Sequence, residues 1–226
     1  MKRLAKILFL YFPAGLILIS VFQVVLLKWV PVVTTPLMVM RSIGNEGNER
    51  IPVTCKWKSY DEISPNMARA VIACEDNKFF THHGFDFEEL KKMKEKYDKK
   101  GGKLRGCSTI SQQTAKNCFT LCSHTWLRKG VEAYYTVLIE LIWGKKRILE
   151  VYLNIVELGH GIYGSEAAAQ KYYGKPASEL TLGQAVSLAC CLPNPLKRSP
   201  SWVDAHMSSY KSTIITRCGD IFFPEQ

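Results

Sequence analysis

Two adjacent acids, Glu75 and Asp76, stand in the stretch Cys74–Asp86, which also holds Phe79, Phe80, His82, His83 and Gly84. A carboxylate held where its protonated form is favoured can accept a proton from a poor nucleophile. The residues just before it would supply that placement. The segment ISPNMARAVIA reads as a helix: Ser64 can cap it, Pro65 suits its first position, and Ile63, Met67, Ala70 and Val71 recur at helical spacing. Glu75 and Asp76 then fall at or near the helix's C-terminal end, where the dipole disfavours negative charge. A helix that merely ends in solvated acids would look the same from this stretch alone.

A second polar run, Gly106–Phe119, reads GCSTISQQTAKNCF. Ser108 and Thr109 are cap candidates, and free backbone N–H groups at such a helix start attract anions. Gln112, Gln113 and Lys116 follow within the first turns, which suits a binding surface with one fixed cation. Thr125–Trp143 is a strong helix that places Arg128, Glu132, Thr136 and Glu140 at steps of four, with Trp126, Val137 and Leu141 on an apolar face. Arg128 with Glu132 is either a surface ion pair worth a few tenths of a kcal/mol or part of a charged stripe facing a cleft.

The elements that must position these groups are nearly all helical. Residues 87–105 form a lysine-rich helix broken at Gly101 and Gly102, either a mobile flap over a cleft or a solvated connection. Lys145–Glu157 is amphipathic, with a glycine loop after it at Gly159, Gly161 and Gly164. Helix resumes over Ser165–Tyr173, then from a capping box at Thr181 and Gln184 on to Pro193, and last over about residues 203–217. Almost nothing alternates like a strand, so the fold is expected to be mainly α. There is no glycine-rich phosphate loop, no HExxH and no nucleophile elbow.

Ile7–Leu27 carries no charge and is long enough to span a bilayer. Lys2, Arg3 and Lys6 precede it, which directs the N-terminus to the cytoplasm and the remainder across the membrane. The run is too long for a cleaved signal, and no small-residue cleavage site follows it. The expected order is residues 1–30 as cytoplasmic N-terminus and anchor, 31–54 as juxtamembrane linker and 55–226 as the domain. The short apolar run Leu37–Met40 is expected to lie against the bilayer surface. A net charge of +10 in such a place suits anionic headgroups or a lipid pyrophosphate, and not nucleic acid. The eight cysteines have no metal or disulfide spacing, so most are expected to be reduced and buried.

Five blocks then resemble one family, the peptidoglycan glycosyltransferases of glycosyltransferase family 51. They are EDNKFFTHHGFD (75–86), GCSTISQQTAKN (106–117), RKGVEAYYTVLIE (128–140), KKRILEVYLNIVELGHGIYGSEAAA (145–169) and LTLGQAVSLACCLPNP (180–195). They come in the family's order and spacing over about residues 55–200, and no penicillin-binding transpeptidase domain is expected after them. The resemblance implies a lysozyme-like helical lobe with a smaller membrane-proximal lobe, preceded by one transmembrane helix of the cell inner membrane, with the catalytic domain in the periplasm. It implies polymerisation of lipid II into β-1,4 glycan strands with release of undecaprenyl pyrophosphate. The family's general base maps onto Glu75, its second glutamate onto Glu132, and its phosphate-binding cation onto Lys116, with Arg128 and Lys129 opening the third block.

The residues themselves agree with those roles. The acceptor hydroxyl needs a base, which Glu75 can be, and the departing pyrophosphate needs cations rather than an acid. Lys116, Arg128 and a divalent cation (Mg or Mn) are candidates for that task; Glu132 would hold such a metal or orient the cations, and no organic cofactor is expected. Gln112, Gln113, Ser108, Thr109 and Asn154 are candidates for sugar or phosphate hydrogen bonds. His82 and His83 read as structural. His124 stands where family members often carry arginine, and Cys74 and Cys107 stand where small residues are usual. The expected partners are lipid II, the lipid-linked growing strand, membrane lipids and transpeptidases. A glycan-cleaving lysozyme-like enzyme is one alternative, though it would need an acid for the leaving sugar. A catalytically dead scaffold is another, against which intact Glu75, Glu132 and Lys116 argue.

Overall fold

The computed structural model describes residues 2–44, 50–101, 108–121 and 125–223, with the backbone alone for residues 2–10 and 100. The chain is mainly helical, as expected. Helix α1 (Lys2–Leu27) leads, and α2 (Pro36–Ile43) follows it, with Thr35 accepting from Met38 N as its cap and Pro36 at the first position. Next come β1 (Thr54–Cys55), α3 (Pro65–Glu75) and α4 (Phe87–Lys100). The chain continues with α5 (Ile110–Phe119), α6 (Trp126–Ile142) and α7 (Gly144–Ile155). The chain then passes through β2 (Glu157–Gly159), β3 (Ile162–Tyr163), α8 (Gly164–Tyr173) and α9 (Leu182–Ala189), and ends in α10 (Pro200–His206) and α11 (Ser208–Gly219).

Helix α3 is the pillar. Met67, Ala68, Ala70, Val71, Ile72 and Ala73 are all buried, and the helix lies against α9 and α11. Its small residues let the neighbouring helices approach, and its cap is the expected one, with Ser64 Oγ accepting from Asn66 N and Pro65 at the first position. Helix α5 is clasped between α6 and α7. From α7, Ile148, Leu149, Val151, Tyr152, Leu153 and Ile155 are buried.

Several boundaries differ from the sequence reading. Helix α7 stops at Ile155, and Glu157 belongs to a strand. The three short strands form one sheet in the order β1-β3-β2, with β1 parallel and β2 antiparallel to β3. Strands of two or three residues are too short to alternate visibly, which is why the sequence hides them. Helix α9 ends at Ala189 rather than near Pro193. The last helix is two, because Met207 leaves helical geometry at φ −127° and ψ 28°.

The apolar run Leu37–Met40 is not simply laid outside the domain. Met38 is 1 % exposed and α2 packs on α5. Among the described residues no helix is long and apolar enough to cross a membrane. The described side chains of α1 nevertheless expose Tyr11, Phe12, Leu16, Ile17, Leu18, Ile19, Phe22 and Leu26. The other end of α1 is tied to the domain. Trp143 Nε1 donates to Val24 O at 2.7 Å, and Arg147 Nη2 donates to Leu27 O at 2.8 Å and to Val30 O at 2.6 Å. Lys28 N reaches Val25 O, and Trp29 N and Val30 N reach Leu26 O. All four carbonyls that a helix leaves unpaired at its C-terminus thus have partners.

Helix α6 inverts the usual polarity. Thr136 and Ile139 are buried, and so is Glu132 at 2 % exposure. The opposite face exposes Leu127, Tyr134, Val137 and Leu141, with Trp126 93 % exposed at its start. The expected face of Trp126, Val137 and Leu141 is therefore apolar but turned outward, away from the core. Steps of three and four confirm one stripe from 127 through 134 and 137 to 141. The described cysteines are free thiols: Cys118, Cys190, Cys191 and Cys218 are buried, and Cys55 and Cys74 are partly buried. Cys107, Cys122, His124 and the second glycine of the 87–105 segment, Gly102, lie outside the described residues.

Candidate active site

Glu75 is the last residue of α3 and lines a cleft of about 430 Å³ with Asp76, Lys78, Ser108, Thr109 and Arg217. Burial pushes its carboxyl pKa above the usual carboxylate value, and the adjacent Asp76 adds to the rise. A hydrogen bond opposes it: Gln113 Nε2 donates to Glu75 Oε2 at 2.8 Å. The net effect is a base stronger than an exposed glutamate, with one amide fixing which oxygen faces the cleft.

That amide is itself aimed. The Tyr152 hydroxyl, on a side chain that is fully buried, donates to Gln113 Oε1 at 3.0 Å, so the other end of the amide must present its N–H₂. Gln113 Nε2 also reaches Ser108 O at 3.3 Å. Helix α7 thereby sets the orientation of a group on α5 that holds a base on α3.

Asp76 has a different task. Its carboxylate caps the start of α5 by accepting from Ile110 N at 2.9 Å, and both of its oxygens lie 3.0 Å from His82 Nε2. His82 Nδ1 accepts from Gly84 N at 3.1 Å, which leaves Nε2 as the donor to Asp76. His82 is thus structural, as its sequence context suggests. Gly84 closes the turn with φ +86°, and its carbonyl accepts from Thr109 Oγ1 at 2.6 Å. A Cβ there would sit 2.8 Å from Thr136 Cγ2, so the loop passes α6 where only glycine fits.

The second cavity, about 390 Å³, is lined by Gln113, Lys116 and Arg128 with Arg41 and Glu157. Lys116 is exposed, one turn beyond the amides. Arg128 Nη1 lies 2.7 Å from Glu132 Oε2, and Lys129 Nζ pairs with Glu132 Oε1. Both oxygens of Glu132 are therefore held by cations. That pairing fits an orienting role, and each oxygen keeps a lone pair beyond it; among the described residues no group of three or more His, Cys, Asp or Glu gathers. Gln113 is the link between the two cavities: it lines the cationic one and hydrogen-bonds the acid of the other.

Three candidates are placed in the scaffold. Gln112 Oε1 accepts from Thr109 N at 3.1 Å while Thr109 Oγ1 accepts from Gln112 N, a closed capping box that occupies that amide oxygen. Thr109 is the cap and is buried, whereas Ser108 lines the cleft. Asn154, 1 % exposed, donates to Lys58 O and Glu150 O and accepts from Lys58 N, each at 2.8 Å. Its amide clamps the segment before α3 and is fully satisfied. The sequence reasoning had no signal for Tyr152, which looks like one more core aromatic on an amphipathic helix, or for Arg41, which stands outside the motif blocks.

A family model described as Transglycosylase matches residues 44–218. The chain is similar to the biosynthetic peptidoglycan transglycosylase of Caulobacter vibrioides, at 49 % identity over 197 residues that cover 87 % of this chain and 82 % of that one. It is also similar to the protein of the same name from Rhodospirillum centenum, at 44 % identity over 218 residues that cover 96 % and 90 % of the two chains. Against that of Bacteroides thetaiotaomicron the identity is 44 % over 215 residues, covering 94 % and 84 %.

Proposed function

We propose a division of labour that proceeds from one fact: the chain belongs to the transglycosylase family and polymerises peptidoglycan glycan strands. Glu75 is the general base. It takes the proton of the acceptor sugar hydroxyl as that oxygen attacks the anomeric carbon of the donor. Attack from the face opposite an α-linked pyrophosphate inverts the centre and gives the β-1,4 bond directly, with no covalent enzyme intermediate. The bond to the pyrophosphate oxygen breaks, and undecaprenyl pyrophosphate leaves as an anion. Lys116 and Arg128 receive that charge, and Glu132 with Lys129 holds Arg128 in place. No step in this scheme runs through a metal ion.

The observation that carries the assignment is the Gln113 bridge. One amide hydrogen-bonds the base of one cavity and lines the neighbouring cationic one, which supports pairing the proton acceptor with the charge acceptor. A glycan-cleaving reading would need a protonated acid over the leaving sugar, and the neighbouring cavity gathers three cations against one carboxylate, which favours an anionic leaving group.

The location follows the same line of support. Helix α1 acts as a single-pass anchor of the inner membrane, N-terminus inside, with the catalytic domain in the periplasm. Its exposed apolar side chains and the outward apolar stripe of α6 would both be costly in water and are at home against lipid. Together with α2 they form the membrane-proximal side, beside which transpeptidases would work on the nascent strand. The deciding experiment is lipid II polymerisation by the purified full chain in detergent, wild type against Lys116→Gln and Arg128→Gln. Polymer from the wild type and a raised KM in both folded variants is expected. A wild-type protein that binds lipid II and makes no polymer would refute the reading.

A further inference from the structure

Arg41 lies on α2, outside every motif block, yet its side chain lines the cationic cavity with Lys116 and Arg128. Its guanidinium is 3.6 Å from Glu157 Oε2, too long for a charge-assisted hydrogen bond. Its Nε is enclosed and has no hydrogen-bond partner among the described residues. An unpaired donor on a permanent cation is unfavourable, and the part of the guanidinium side chain that stays open to the cavity, 35 % exposed, has hydrogen-bonding capacity to offer an oxyanion. The cavity's charged lining is three cations against one carboxylate, Glu157, whose other oxygen accepts from the Tyr163 hydroxyl at 3.1 Å. Leu37, on the same helix as Arg41, and Leu121 bring apolar surface to the same rim. A phosphate ester on a lipid presents that combination of charge and hydrocarbon.

We propose that Arg41 is a further diphosphate-binding residue, brought to the donor site by the juxtamembrane helix and loosely held by Glu157 until the substrate arrives. Its planar fork can take two oxygens of one phosphate or span both phosphates, which the point charge of Lys116 cannot. The inference rests on assigning this cavity to the donor's diphosphate.

The test uses the full chain in detergent, with lipid II as substrate and inorganic pyrophosphate as a competing probe. Arg41→Gln is expected to raise the KM for lipid II and weaken pyrophosphate inhibition, each by roughly tenfold, as for one charge-assisted bond. The melting temperature and kcat should change little. A folded Arg41→Gln protein with both constants unchanged overturns the proposal, as does a loss confined to kcat and melting temperature. If Arg41→Gln does not fold, Arg41→Lys decides: it keeps the charge and loses the fork, so severalfold weaker inhibition supports the role and unchanged inhibition overturns it. Lys116→Gln separates this inference from its premise. If Lys116→Gln weakens pyrophosphate inhibition and Arg41→Gln does not, Arg41 alone falls; if neither does, the cavity is not the diphosphate site.

Discussion

Gln113 Nε2 lies 2.8 Å from Glu75 Oε2, so a hydrogen bond that steadies the base comes from a residue that also lines the cation-bearing cavity. The bond lowers the pKa that burial has raised. Replacing Gln113 by Leu removes it, and the Glu75 pKa should climb further. The acidic limb of the kcat/KM profile would then move to higher pH, with activity at neutral pH reduced. A pH–rate profile checks this; an unmoved limb would detach Gln113 from the base. Tyr152→Phe should shift the limb in the same direction by less, since the amide remains but is no longer aimed.

Glu75→Gln keeps the size of the side chain and its contact with the cleft but removes basicity. Polymerisation should fall by about 10²–10⁴-fold, the range for a lost general base. The protein should melt no lower than wild type. Retained turnover would send the search to the other acids of the cleft.

The same residue makes stability depend on pH. Burial raises its folded pKa, so the native state binds this proton more tightly than the unfolded chain does. Its contribution is complete below the unfolded value and is lost as pH rises through the raised folded value. Urea midpoints measured across that window should fall with pH in wild type and be flatter in Glu75→Gln. Parallel curves would show that the folded carboxyl is not perturbed.

Glu132→Gln leaves Arg128 and Lys129 without their shared carboxylate. Because both cations retain some access to water, the expected cost is about 1–3 kcal/mol and not the larger penalty of a sealed charge. The KM for lipid II should rise because Arg128 loses its fixed position. Denaturation and steady-state kinetics on the same preparation separate the two effects, and an unchanged KM would confine Glu132 to the scaffold.

Leu127→Glu with Leu141→Glu places two charges on the outward stripe of α6. The melting temperature should be unaffected, since both side chains are largely exposed. Binding to anionic lipid vesicles should weaken. Undiminished binding would mean that α6 does not meet the bilayer.

Capping chemistry and helical spacing were the most legible features of the sequence. Ser64 with Pro65, Thr109 as one of two cap candidates, and Thr181 with Gln184 each begin a helix where residue types place it, because these signals are local. The cluster of Glu75, Gln113, Lys116 and Arg128 was legible as a set through motif spacing, but its wiring was not. Whether a glutamine serves a cap or a base depends on which way its helix faces, and Gln112 and Gln113 differ by one position with opposite outcomes. The outward turn of the α6 apolar stripe was hidden for a related reason. Periodicity shows that a helix has two faces without saying which one the fold covers. Arg41 reaches the site from an element that carries no motif, and Tyr152 from within a motif block where it reads as one more core aromatic.

The capped end of α1 has a mechanical consequence. Its last carbonyls are taken up by Trp143 and Arg147 and by the backbone beyond it, so the helix and the domain meet through a stiff joint and not a tether. If α1 is the anchor proposed above, a domain joined to it in this way has less freedom to swing, tilt or extend its reach along a strand than one on a flexible linker. The polymer would have to slide past a stationary workbench, and an enzyme that cross-links it would have to come within arm's length by drifting in the same plane.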